Sequence, residues 1–256
     1  MLAAKTFFSF AEIKDPAKHR AYNEWHHLDH RPENLLLPGV IWGERWVRTP
    51  DCIEASAPND ARFASFHYLN LYWFRAPAEE HIKEWYALGA RSFQWGRRPE
   101  LAFTGRPFVG FFDPIKGYVN SRVLVSPDVL PARPNLGVHL TIAEYRGADP
   151  ALDACFHWYD QVHIPDLLEC AGAAGMWTFV SDDTNVSHTT AADDNRLLRF
   201  HLVFLDDDPL KFVADVESRE AGWRASGRLP DHSDVESVLF SGPLRLIRPF
   251  EYDWFD

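Results

Sequence analysis

The 256-residue sequence predicts an α+β fold: two tandem βαββαβ units that pair through their sheets into one barrel with a pocket inside. Two observations carry this prediction, an internal repeat and the same order of strand-like and helix-like segments in each copy. WHHLDHRPENLLLPG (Trp25 to Gly39) and WYDQVHIPDLLECAG (Trp158 to Gly172) align without gaps at a separation of 133 residues, Trp25 to Trp158. The alignment matches His30 with His163, Pro32 with Pro165, Glu33 with Asp166 and Gly39 with Gly172. Farther out, FFSFAEIKDP matches HLTIAEYRGADP, and FTGRPFVGFF matches FSGPLRLIRPF. ARFASFHYLNLYWFRAP matches NRLLRFHLVFLDDDP, which pairs His67 with His201.

Residues 5–14 and 137–146 are apolar runs rich in β-formers and predict the first strand of each unit. Asp15-Pro16 and Asp149-Pro150 then supply an Asp N-cap and a Pro at the first helical position. The helix that follows carries Trp25 or Trp158. It is expected to end or kink at the histidine, because Pro32 and Pro165 lack an amide donor and disfavour helix just before them. Strands follow near 39–48 and 174–182, then 62–75 and 196–206. A second helix starts at Pro77 or at Asp208-Pro209, and a last strand lies near 105–113 or 240–250. That order is the ferredoxin-like unit, whose antiparallel sheet carries helices on one face. The bare faces of two units are buried most economically against each other. Residues 119–136 hold three prolines and fit a linker. The expected division is therefore 1–118 for the first unit, 119–136 for the linker and 137–256 for the second unit.

Hydrophobic residues make up 46% of the chain, with ten Trp and nineteen Phe, enough for large cores or for an aromatic pocket around a small apolar or aromatic ligand. A net charge of −11 without any Lys/Arg cluster excludes the footprint of a nucleic-acid or anionic-membrane binder. Three cysteines without a CxxC spacing argue against a disulfide framework or structural zinc and point to the cytoplasm. The N-terminus soon meets Glu12, Lys14 and Asp15 and reads as a strand rather than a signal peptide, and no apolar run approaches a membrane span.

The segment W-Y-x-x-H-x-P-D-L-L-x-x-x-G, present as WYDQVHIPDLLECAG and in the first copy as WHHLDHRPENLLLPG, resembles the EthD-like branch of the dimeric α/β-barrel superfamily. The resemblance covers both halves, most specifically residues 22–47 and 155–180, and the chain looks like a fused version of a barrel usually made by two chains. It implies fold more than function. Members include isomerases and lyases of aromatic catabolism, polyketide cyclases, cofactor-free monooxygenases, haem enzymes and stress-induced proteins. It also implies that the His-x-Pro-acid motif is the polar feature of the site, here His30 to Glu33 and His163 to Asp166.

His26 and His30, four apart on a helix, share a face, and Glu33 lies three further on. Tyr159, His163 and Asp166 are their counterparts. An acid beside an imidazole can fix its tautomer and raise its basicity, as a general base requires. The bland alternative is that the carboxylate caps the loop while the histidine bonds a carbonyl. The first copy, with His26, His27 and His30, is the richer one. His67 and His201 follow Phe66 and Phe200, and strand alternation sends one residue of each pair inward without saying which. Trp42 and Arg45 lie in GVIWGERWVR. Arg45 there is either a surface residue or, in an aromatic pocket, a grip for a carboxylate or phenolate.

No cofactor is expected. HxxxH with Glu33 has the composition of a His-His-carboxylate metal set, but Tyr159 replaces the first histidine in the second copy. Haem through one axial histidine is what the resemblance to distant barrel relatives leaves open. No Gly-rich phosphate loop, GxSxG elbow or Cys nucleophile motif is present. The expected function is cofactor-independent acid–base chemistry, isomerisation, cyclisation or elimination, on a small aromatic or polyketide-like molecule. His30, oriented by Glu33, would act as base or acid, with His26 as second donor. The rivals are a non-catalytic stress-type binding barrel and a haem or metal oxygenase. An exposed strand edge or helix face would permit a homodimer.

Overall fold

A computed structural model describes residues 2–146, 149–181 and 197–256. The first unit runs β1 (Ala3–Ile13), α1 (His19–Trp25), a π-helical turn (His26–His30), α2 (Arg31–Leu35), β2 (Val40–Val47), α3 (Pro50–Glu54), β3 (Ala57–Pro58), β4 (Tyr68–Arg75), α4 (Ala78–Gln94) and β5 (Thr104–Val119). The second runs β6 (Gly137–Tyr145), α5 (Asp149–Trp158), a π-helical turn (Tyr159–His163), α6 (Ile164–Leu168), β7 (Ala173–Ser181), β8 (Leu197–Leu205), α7 (Pro209–Ala225) and β9 (Glu236–Leu246). Asp15 accepts a hydrogen bond from the Ala17 amide, and Asp208 from the Leu210 amide, as their Asp-Pro pairs predict. The Asp149 side chain and the predicted strand ends at 182 and 196 lie outside the described residues.

Antiparallel pairing orders the strands β2-β4-β1-β5-β7-β8-β6-β9, and β9 returns to β2 at Trp46–Leu246 and Val47–Arg245. The ring is therefore a closed eight-stranded barrel, the α+β dimeric-barrel architecture within one chain. Each unit contributes four strands in the same spatial order. The short β3 has no counterpart among the described residues of the second unit and pairs with the free side of β9. The predicted strand at 105–113 is longer in the structure. β5 pairs with β1 through Phe112 and then with β7 from Phe112 to Val119, so one continuous strand sews the units together.

Strand alternation decides what fills the barrel. Phe8 and Phe10 of β1, Leu69, Leu71 and Trp73 of β4, and Phe200, Leu202 and Phe204 of β8 point inward into one packed cluster. The pocket expected inside the barrel is thus taken up by packed aromatic and aliphatic side chains, the large-core reading of the aromatic excess. Phe66 and Phe200 take the inward positions, and His67 and His201 do not. Opposite faces carry Phe7, Tyr72 and Phe74 toward α4 in the first unit, and Met176, Val203 and Leu205 toward α5 and α7 in the second.

The helix does not end at the His-x-Pro. The Arg31 amide donates to the His26 carbonyl, and the Ile164 amide to the Tyr159 carbonyl, both bonds to the fifth residue back. A π turn takes up the break in the ladder that a proline without an N–H creates one residue later, so the helix continues through Pro32 and Pro165. The recurrent glycine stands in the turn just before the next strand for a steric reason. A Cβ on Gly39 would lie 2.1 Å from the His81 side chain, and Gly172 adopts φ +73° against Asp207.

Candidate functional site

The outer face of the first half-sheet does not pack fully on its helices. Between them lies a cavity of about 470 Å³. The sheet supplies Phe7, Ser9, Asn70 and Tyr72, and the π turn and its flanks supply Tyr22, His26, His30 and Asn34. Trp85, Tyr86 and Phe93 of α4 form the aromatic side wall, and Arg98 and Arg106 complete the lining. The volume suits a small organic ligand.

His26 and His30 meet edge to face at 4.8 Å, and His30 stacks on Trp25, also at 4.8 Å. Asn34 Nδ2 lies 3.3 Å from His30 Nε2 and donates to the Tyr72 hydroxyl at 3.1 Å. The Nδ1 atoms of both rings are buried without partners, which leaves Nε2 as the nitrogen of His26 on the cavity side. Burial first, and then the arginines nearby, hold both imidazoles neutral: His30 is lowered to about 3 and His26 well below its usual range.

Glu33 does not orient His30. Its Oε1 accepts from Arg97 Nη1 at 2.7 Å, and Arg97 also holds Asp29. Asp166 likewise takes a two-pronged bond from Arg228, at 2.8 and 2.5 Å, rather than serving His163. The acid of each motif is a clamp between the helix and the segment after α4 or α7, and Asn34 replaces Glu33 as the polar neighbour of His30. His67 accepts from the Ile13 amide at 3.0 Å and lies outside the cavity. Trp42 sits with Trp73 and Trp177 at another place in the fold, next to Arg31 at 5.4 Å. Arg45 is fully buried rather than on the surface. It donates to Asn70 at 2.8 Å and Asn23 at 3.0 Å behind the cavity wall.

The second half lines the equivalent place with other residues. β1 pairs Ser9 with Asn70, and β6 pairs Thr141 with His201, so His201 occupies the place of Asn70 rather than that of His67. His201 stacks on Tyr159 at 4.6 Å, and the Tyr159 and Tyr145 hydroxyls both donate to Glu236, at 2.5 and 2.6 Å. His163 stacks on Trp158 at 4.7 Å, as His30 does on Trp25, and burial lowers it to about 4. Leu167 stands where the first half has Asn34.

Burial lowers many imidazoles of this chain. His139 and His163 fall to about 4 and His30 and His201 to about 3, from an ordinary 6.5. The unfolded chain therefore binds more protons than the fold below pH 6.5, and stability falls as pH falls from there toward 4. The urea midpoint should drop steadily from pH 7 to pH 5; a flat midpoint would contradict this burial.

No protein-family model and no curated protein sequence matches the chain. Solved structures match its fold. An anthrone oxidase-like protein superposes with TM-score 0.53 at 11% identity over 96% of this chain and 92% of the other. A DypB variant of Rhodococcus jostii RHA1 in complex with heme gives 0.52 at 11% identity over 97% and 94%. A dye-decolorizing peroxidase from Bacteroides thetaiotaomicron VPI-5482 gives 0.52 at 6% identity over 100% and 95%. These likenesses place the chain among the dimeric α/β-barrel folds. No helix among the described residues is long and apolar enough to cross a membrane, and no three His, Cys, Asp or Glu among them gather as a metal site.

Proposed function

We propose that the chain is a fused EthD-like barrel, divided at 1–118, 119–136 and 137–256, whose first-half cavity carries out cofactor-independent acid–base chemistry. The substrate is a small aromatic or polyketide-like molecule, and the reaction an isomerisation, cyclisation or elimination. One observation carries this reading: two buried, neutral histidines stand side by side on a π turn at the wall of an aromatic cavity. A neutral imidazole is the form that accepts a proton. His26 Nε2 takes the proton from a carbon or hydroxyl next to a carbonyl or phenol. His30, packed against Trp25 and Asn34, holds His26 in place. The Tyr72 hydroxyl and the Asn70 amide are the polar groups placed to hold the substrate oxygen. Trp85, Tyr86 and Phe93 flank the ring and exclude water, which strengthens those contacts. His163, Tyr159 and Asp166 belong to the other half and act in support.

The same residues also fit haem by donor type. His26 or His30 would hold the iron, and Arg98 and Arg106 the propionates; bound haem would supply redox chemistry at iron. Neither ring has an acceptor behind Nδ1, the support that metal-bound imidazoles ordinarily have, so acid–base chemistry stands first. An absorption spectrum and metal analysis of protein purified without added cofactor decide between the two. A colourless, metal-free protein that turns over an aromatic substrate supports the first reading, and a Soret band with stoichiometric iron replaces it with the second.

A further inference from the structure

The chain carries a net charge of −11, yet the cavity lining contains two arginines and not one Asp or Glu. Arg98 and Arg106 come from different segments, the stretch after α4 and the start of β5, and converge on the same space. Burial and then the positive charge of Arg106 beside it lower Arg98, so the two guanidiniums lie close to each other. Neither arginine has an ion pair among the described residues, although Arg97 next door is held by two acids.

Behind the wall, Arg45 repeats the pattern at full burial. Its partners are the neutral oxygens of Asn70 and Asn23 and the faces of Tyr22 and Tyr68, at 5.3 and 5.7 Å. Its Nη1 is buried with no acceptor. Asn70 and Tyr22 touch Arg45 and also line the cavity, so its charge acts directly through that wall. Glu44, the carboxylate that feels the Arg45 charge, is bonded to Arg31, so the buried guanidinium with its unpaired Nη1 still gains from an added anion.

We propose that the cavity binds an aromatic carboxylate, with the ring between the α4 aromatics and the sheet and the carboxylate on Arg98 and Arg106. The inference rests on the cavity being the active site and names the class of substrate it takes. Paired guanidinium donors match a carboxylate in charge and geometry. Tyr86 and Phe93, 56% and 65% exposed at the rim, give a flat ring an apolar entry. The negative charge would also offset the arginines that surround His26 and His30 and raise the basicity of these imidazoles once ligand is bound.

Calorimetric titration of the full chain with naphthalene carboxylate and its neutral carboxamide tests this. The carboxylate should bind at least tenfold more tightly, and its affinity should weaken with salt. Arg98→Gln and Arg106→Gln, both at or near the surface, should each cost the carboxylate about tenfold and leave the carboxamide unchanged. Gly89→Leu should block both probes, because Gly89 lines the cavity and a Cβ there meets nothing within 4 Å. Equal binding of the two probes, or carboxylate binding that survives Gly89→Leu, would overturn the proposal. So would stoichiometric uptake of haemin with exclusion of the carboxylate, which would give the arginines to porphyrin propionates. The test is separable from the catalytic reading. Charge-selective binding with turnover that survives His26→Ala sinks the acid–base role alone, and equal probe binding sinks the anion assignment alone.

Discussion

Phe200→Ala should destabilise the protein by about 3–5 kcal/mol, and the loss should fall on both halves at once. Phe200 belongs to the second unit and is fully buried, yet its ring meets Phe112 at 4.2 Å, Phe8 at 4.9 Å, Phe108 at 5.8 Å and Phe10 at 6.0 Å, all from the first unit. Removing it opens a void that neither half-sheet can fill alone, because both are pinned by the closed ring of strands. Urea unfolding followed by circular dichroism and by tryptophan fluorescence should shift together to a lower midpoint. A loss below about 1 kcal/mol, or a shift in one probe only, would show that the units do not share the core described here.

His26→Ala should lower turnover of an aromatic substrate by a factor of about 10² to 10⁴, the usual contribution of a positioned acid or base, with ligand affinity nearly intact. His30→Ala should lower it as well, through the packing that holds His26. The readout is kcat against KM: loss of the proton acceptor falls on kcat, whereas a merely structural histidine would raise KM or lower Tm instead. Turnover at the wild-type rate in both variants would remove the π turn from the mechanism.

The barrel was legible because the repeat spans sites that local chemistry determines: Asp15-Pro16 and Asp208-Pro209 start helical segments, and Gly39 and Gly172 lead into the next strand where a side chain cannot fit. Pairing the two bare sheet faces followed from the same economy of burial. The cavity was harder. Whether Phe66 or His67 turns inward depends on the residue at which the strand begins, and β4 begins at Tyr68, after both of them. Glu33 reads as a partner of His30 by local spacing, but Arg97, far along the chain, competes for it and wins with a charged bond. Asn34 had a signal in the sequence, since it lies four residues after His30 and on the same helix face. Asn70, a polar residue between Tyr68 and Tyr72, had one too. Arg98 and Arg106 had none, because only the folded chain brings that segment over the cavity.

The π turns lie at matching positions, His26–His30 and Tyr159–His163. A π turn accommodates one residue more than an α-helix of the same length, so each is in effect a one-residue insertion. Its presence at the same place in both copies is what duplication of a unit already carrying the turn would leave. The second half has Tyr159 and His201 where the first has His26 and Asn70, around the same turn. The turn is thus common to both halves while its surroundings differ, and in the first half those surroundings enclose a cavity.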